Sequence, residues 1–207
     1  MLLAKIKEEL DSLYDDLREA AASSAAAEPE AEPEGVEETE AAQEAAPEQE
    51  EPQAAAEGGE EKKSAAEEVP AEEPPPIGPQ ETDYRAKGYH LDAALPPEKV
   101  VAAAEILSRH GFFIEAVTGV DWIDEGQMEV VYDFNHFDEL CRVVIRSRLE
   151  RGKPEVPTIS HIYQGANWHE RETHDFFGIK FIGHPDLSPL LLPEDADFHP
   201  LRKDFTP

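Results

Sequence analysis

The sequence predicts an α+β fold: a small antiparallel sheet covered by a helix, then a C-terminal helix and an extended tail, all behind a long disordered acidic N-terminal region. Three observations predict it. Apolar residues alternate with period two in three stretches between residues 112 and 149. A run opened by proline and closed by glycine occupies 96–111. Between Ala21 and Pro76 the only branched aliphatic residues are Val36 and Val69, and no aromatic residue occurs. Such a stretch buries too little surface to offset the entropy of ordering its backbone.

Four segments follow. Residues 1–19 form an amphipathic helix, with Leu3, Ile6, Leu10, Leu13 and Leu17 at spacings of three and four and Tyr14 beside them. A helix this short is marginal alone in water, so its apolar face needs either the chain's own body or a partner to lie on. Residues 20–83 read as an Ala/Glu/Pro-rich linker. Residues 84–166 form the α/β domain. Its helix, PPEKVVAAAEILSRHG, places Pro97 in the first turn and presents Val100, Ala103, Ala104 and Leu107 on one face. Its strands are FFIEAVTGV, MEVVYDFNH and LCRVVIRSRL, with YHLDAAL at 89–95 as an additional leading strand. In the first strand Phe112, Ile114 and Ala116 alternate against Phe113, Glu115 and Val117. Short connections make the last two strands an antiparallel pair, and no helical crossover is expected between adjacent strands. Residues 167–207 supply an interface helix and an extended docking segment. That segment is rich in proline and leucine and is expected to lie across a surface, a partner's in preference to the chain's own, rather than hang free.

Charge excludes several functions. The chain of 207 residues has a formal net charge of −29, and residues 1–80, with 24 acidic and 5 basic side chains, carry 19 of it. It repels nucleic acid and offers no polybasic membrane patch. No run of 18 apolar residues exists to span a bilayer. The single Cys141 allows no intrachain disulfide and by itself holds no cluster. Arg142, Arg146 and Arg148, extended by Arg151 and Lys153, form a basic stripe. It reads either as a solvated sheet face or as a docking strip for an acidic partner or the chain's own linker.

The densest chemistry lies in NWHERETHDFFG, 167–178. Asn167 is placed to cap a helix whose third residue is Glu170, and Arg171 and Asp175 stand four apart, a pairing distance. A zinc hydrolase would need two histidines four apart with a glutamate beside the first. His169 and His174 are five apart, about 140° around the helix, and cannot share one ion there. A looser metal site in the histidine-rich C-terminal third, which also holds His161, His184 and His199, is the remote alternative. No nucleophile elbow or phosphate loop is present, and the residue pattern suits a charged interface helix better than a reaction centre.

The stretch from Glu170 to His184 resembles the 30-kDa subunit family of respiratory complex I, the C-type subunit of bacterial NADH–quinone oxidoreductase. The resemblance rests on Glu170-Arg171-Glu172, Asp175, Phe176 and Phe177, then His184, and on LLLPEDADFHPLRKDF at 190–205. It covers about 84–205. Ser188 and Pro189 stand where the family commonly has a basic residue, and Phe198 where Gly is usual. The resemblance implies a non-catalytic structural and assembly subunit in the hydrophilic arm of a proton-translocating enzyme. Its foremost partner would be the 49-kDa-like (D-type) subunit, on the cytoplasmic face of the bacterial inner membrane. No cofactor would be bound by this chain; FMN and iron–sulfur clusters would sit in partner subunits. The interface candidates are Trp168, Glu170, Arg171, Glu172, Asp175, Phe176, Phe177, His184, His199, Pro200, Leu201, Arg202, Lys203 and Asp204. The equivalent subunit of a membrane-bound hydrogenase, or of a dehydrogenase with another donor, is the alternative.

Overall fold

The structure is a computed structural model that describes residues 2–25 and 77–206. Of the disordered linker expected over 20–83, residues 26–76 lie outside the described ones, whereas residues 20–25 end a helix and Gln80–Glu81 form a strand, so the ordered body starts before residue 84. On one side of that gap, helix α1 (Leu2–Asp11) and helix α2 (Asp15–Ala25) are joined by a 3-10 turn at Ser12–Tyr14. One continuous helix was expected. The break has a local cause: the Ser12 hydroxyl donates to the Glu9 carbonyl at 2.7 Å, and Asp15 and Asp16 open a new first turn.

On the other side stand strand β1 (Gln80–Glu81), helix α3 (Tyr84–Lys87), strand β2 (Leu91–Ala94), helix α4 (Val100–Arg109), strands β3 (Phe112–Trp122), β4 (Gln127–His136), β5 (Arg142–Glu150) and β6 (Glu155–Pro157), helix α5 (Ala166–Phe177) and strand β7 (Lys180–Ile182). Five strands form one sheet in the order β1-β2-β5-β4-β3. The meander β3-β4-β5 is antiparallel as the alternation indicated, but β2 joins β5 in parallel. The sheet is therefore mixed, and α4 is the crossover from β2 to β3 at the far edge. A second parallel pair, β6 and β7, is bridged by α5. Its strands are three residues each, too short for periodicity to reveal.

One face of the large sheet makes the core. Met128, Val130, Tyr132 and Phe134 of β4 face inward with Val143, Ile145 and Leu149 of β5 and Leu91 and Ala93 of β2. Helix α4 lays Val100, Ala103, Ala104 and Leu107 on this layer. Helix α1 joins it through Ile6 and Leu10, with Tyr14 of the turn. The N-terminal helix thus rests on its own chain. Lys7–Glu81 at 2.7 Å, Glu9–His110 at 2.8 Å and Asp16–Lys99 at 2.8 Å surround the contact.

In β3 the inward set changes parity. Ile114 pairs with Phe134, but Ala116 pairs with Asp133, so Glu115 is an extra residue. Beyond this bulge Val117, Gly119 and Asp121 face inward, not Ala116 as simple alternation indicated. Gly119 leaves room for α5: a methyl group there would sit 2.5 Å from a Phe177 ring carbon.

The outer face carries Arg142, Arg146 and Arg148 of the basic stripe, Arg151 and Lys153 follow in the turn after β5, and every one of these cations is paired. Arg142 meets Glu115 at 2.7 Å, Arg146 meets Asp92 at 3.0 Å, and Arg148 meets Glu129 at 3.1 Å. Arg151 meets Asp121 at 2.8 Å and Lys153 meets Glu155 at 3.3 Å. Among the described residues each cation of the stripe is thus matched by a carboxylate of its own chain.

Gly119→Ala is expected to destabilise the fold by about 1–3 kcal/mol, because the Phe177 ring must shift within a packed core. Gly152→Ala, where an added methyl group meets only Glu150 at 3.8 Å, serves as the control and should change little. Urea unfolding of the two variants makes the comparison, and equal midpoints would show that the Gly119–Phe177 packing is not limiting.

Candidate functional site

Helix α5 begins at Ala166 with Gly165 before it and no side-chain cap. Asn167 is inside the helix, and its carbonyl accepts from His184 Nε2 at 3.2 Å. The capping role expected of Asn167 is absent because the preceding turn, closed by Ala166 N–H to the Tyr163 carbonyl at 3.0 Å, already leads the chain into the helix.

Glu170, expected at an interface, is fully buried within its own chain. One carboxyl oxygen accepts from Ile159 N–H at 2.8 Å, and the other is hydrogen-bonded by the Thr158 hydroxyl. His184 Nε2 lies 3.8 Å from that second oxygen, and both side chains are shielded from solvent. Burial pushes the Glu170 carboxyl up to about 7, against the pull of its Thr158 and Ile159 donors. Burial also lowers His184, although its carbonyl partner Asn167 favours the charged form. Nδ1 of His184 accepts Asp186 N–H at 3.1 Å, so the ring is neutral with its proton on Nε2.

Arg171 and Asp175 do not pair with each other. Both reach the tail instead. Arg171 donates to the carbonyls of Ser188 and Pro189 at 3.0 and 3.1 Å and to the Ser188 hydroxyl at 3.2 Å. One oxygen of Asp175 accepts the N–H groups of Leu190, Leu191 and Leu192 at 2.8, 2.8 and 3.3 Å. Burial alone would raise the Asp175 carboxyl, but these three donors outweigh it and hold it below the usual range. Asp175, like Glu170, is thus turned into its own chain.

The tail then returns to the end of α5. His199 Nδ1–H donates to the Asp175 carbonyl at 2.8 Å, Leu201 N–H to the Phe176 carbonyl at 3.1 Å, and Arg202 Nε–H to the Phe177 carbonyl at 2.7 Å. These are carbonyls that a helix leaves unsatisfied in its last turn. Gly178, at φ 73°, ends the helix directly beneath His199 and Arg202. Lys203 N–H reaches Asp121 at 2.9 Å, and Asp204 meets Arg151 at 2.7 Å. The Arg151 guanidinium holds the Asp121 carboxyl below its ordinary range, against its burial. The tail, expected to lie across a surface, has one side fastened to its own helix.

Of the remaining candidates, Glu172 is exposed, Phe176 and Pro200 are half-buried, and Phe177 packs on Gly119. Trp168 is exposed, with the Arg171 guanidinium 5.4 Å from its ring centre. Sequence reasoning missed Thr158, Ile159 and Asp121, and placed Arg151 in the basic stripe without its partner Asp121. Asp121 gave no signal, because simple alternation from Phe112 turns it outward and only the bulge at Glu115 brings it inside. Among the described residues no group of three or more His, Cys, Asp or Glu side chains comes together to hold a metal.

Two outcomes test this arrangement. Below about pH 4.5 Glu170 is protonated folded or unfolded, whereas between about 4.5 and 7 only the folded state retains the proton. Its contribution to stability is therefore present at low pH and lost as pH rises through 7, on the order of 3 kcal/mol in all. Glu170→Gln should gain stability on wild type by roughly that amount between pH 4.5 and 8, and parallel urea-unfolding curves would refute the assignment. Asp175→Ala strips three backbone donors of their acceptor, a loss of about 1.5–3 kcal/mol. Trypsin should then cut after Arg202 or Lys203 about tenfold faster or more, with the helical circular dichroism signal retained.

Known proteins resemble the chain across this same segment. The model of the family described as respiratory-chain NADH dehydrogenase, 30 Kd subunit, matches residues 93–207. The C-type subunit of NADH-quinone oxidoreductase from Roseiflexus sp. (strain RS-1) is 40% identical over 119 residues, 55% of this chain and 68% of that protein. The C-type subunit of F(420)H(2) dehydrogenase from Methanosarcina mazei is 41% identical over 91 residues, 44% of this chain and 58% of its own. A chain in the structure of the membrane-bound sulfane sulfur reductase, an archaeal respiratory membrane complex, aligns with a TM-score of 0.52 at 30% identity, covering 56% of this chain and 71% of that one. The family model spans β2-to-tail almost completely and includes every residue of the α5–tail arrangement, so the chain belongs to the respiratory-chain NADH dehydrogenase 30-kDa subunit family, which supplies the C-type subunit of NADH–quinone oxidoreductases.

Proposed function

We propose that this chain is an assembly subunit in the hydrophilic arm of a proton-translocating NADH–quinone oxidoreductase, and that the outer surface of α5 and its tail seats the 49-kDa-like (D-type) subunit. The observation that carries this reading is the distribution of exposed apolar side chains. Of eight large ones among the described residues, five fall between 168 and 201: Trp168, Ile182, Leu191, Phe198 and Leu201. The side chains that fix this segment point inward and the apolar ones point outward. A proline-stiffened strip already ordered by its own helix loses little further entropy on docking. In this reading the interface candidates divide: Glu170, Asp175, His184 and Arg202 hold the strip in shape, and Trp168, Leu191 and Leu201 make the contact.

Electron transfer then belongs to FMN and iron–sulfur clusters of the neighbouring subunits, with this chain binding neither. Among the described residues no helix is long and apolar enough to cross a membrane. Family membership supports a peripheral, membrane-associated place, and in this reading that place is the cytoplasmic face of the bacterial inner membrane, held through the complex. The likeness to proteins named for F(420)H(2) dehydrogenase and sulfane sulfur reductase supports a second reading, a homologous subunit in a machine with a different donor or acceptor. Mass spectrometry of the proteins that copurify with the tagged chain in mild detergent separates the two.

Trp168→Asp combined with Leu191→Asp is expected to change the thermal midpoint little, because most of both side chains is in water. The copurifying amount of the 49-kDa-like protein should fall about tenfold or more. Its full recovery with the double variant would remove the α5–tail face from the interface.

A further inference from the structure

The other prominent apolar feature lies at the tip of the β4–β5 hairpin. Phe137 is 76% exposed and Leu140 67%, the two highest values among the large apolar side chains described. They are the ends of the four-residue stretch Phe137-Asp138-Glu139-Leu140. The tip stands beyond the Phe112–His136 end of the β3–β4 ladder, whereas the tail finishes at Asp121 near the opposite end.

This tip is a fixed object. His136 N–H donates to the Cys141 carbonyl at 3.1 Å and closes the hairpin. The His136 ring then acts as a post: its Nδ1 accepts Asp138 N–H at 3.2 Å and Glu139 N–H at 3.0 Å, and its edge packs on Phe112 at 5.1 Å between centres. Phe137 lies against Phe113 at 4.4 Å between ring centres. The loop's backbone donors at 138 and 139 are satisfied internally, so little ordering cost remains to be met on binding. Its charge is one-sided. Asp138 and Glu139 are exposed and make no ion pair among the described residues, while nearby Glu115 is already neutralised by Arg142. A rigid apolar knob flanked by two uncompensated carboxylates is complementary to an apolar pocket with a cationic rim.

We infer that Phe137 and Leu140 dock into an apolar pocket rimmed by Lys or Arg on another protein of the assembly, making the hairpin tip a second assembly contact. The inference rests on the chain's place in a multisubunit complex, but not on which protein covers the α5–tail face. The test uses the assembled complex, with a photo-crosslinking amino acid at position 137 and, in a separate preparation, at 191. The probe at 137 should attach to a polypeptide other than this chain, at an apolar site next to Lys or Arg. Its yield should fall about tenfold when Asp138→Lys and Glu139→Lys are added, as opposed charges become like charges. A probe at 137 that attaches only to lipid, to this same chain or to nothing overturns the inference, as does a yield indifferent to the charge reversal. Attachment at 191 without attachment at 137 would sink this contact alone, whereas failure at 191 bears on the α5–tail docking.

Discussion

Asp175 carries the constraint on which the C-terminal segment from Pro185 onward depends. A segment with Pro185, Pro189, Pro193 and Pro200 cannot satisfy its backbone donors in a helix or a sheet ladder. It must borrow acceptors. One carboxylate oxygen accepts three successive N–H groups, and the carbonyls of Asp175, Phe176 and Phe177 accept three more donors further along. The exchange is mutual, because the same contacts satisfy the open end of α5. Helix and tail thus complete one another's hydrogen bonding, and neither has a well-defined terminus without the other.

Glu170 fixes the opposite end of the helix at a cost. Its carboxyl ties the turn at Thr158 and Ile159, which leaves β6, to the helix that leads to β7. A carboxyl placed this deeply is favoured in its neutral form, and His184 beside it is neutral as well. The group is therefore poorly suited to an ionic contact with another protein. It suits a device that sets the angle at which α5 meets the sheet, with Thr173 adding a hydrogen bond to the Val117 carbonyl at 3.1 Å.

How much of this was legible depended on the range of the interaction. Helices and long strands were readable because their periodicity is local: the faces of α1 and α4 and the inward residues of β4 and β5 follow from spacing alone. The parallel partnership of β2 with β5 was not readable, since a strand of four residues carries no information on the direction of another about fifty positions away. The pairing expected of Arg171 with Asp175 was mistaken. Arg171 and Asp175 at four-residue spacing look like a pair on an isolated helix. In the folded chain the tail offers carbonyls to one and N–H groups to the other, and those stronger, multiple contacts win. Likewise the arginine stripe looked available until cross-strand register brought Glu129 opposite Arg148.

The single extra residue at Glu115 reaches further than its own neighbourhood. Because strand side chains alternate, the bulge acts as a phase shifter for everything downstream in β3. It turns Gly119 toward Phe177 and Asp121 toward Arg151 and Lys203. Removing one residue there would leave every later side chain of β3 chemically intact yet facing the wrong way. The tail would lose its last anchor to an error of parity six residues upstream, with no contact residue altered.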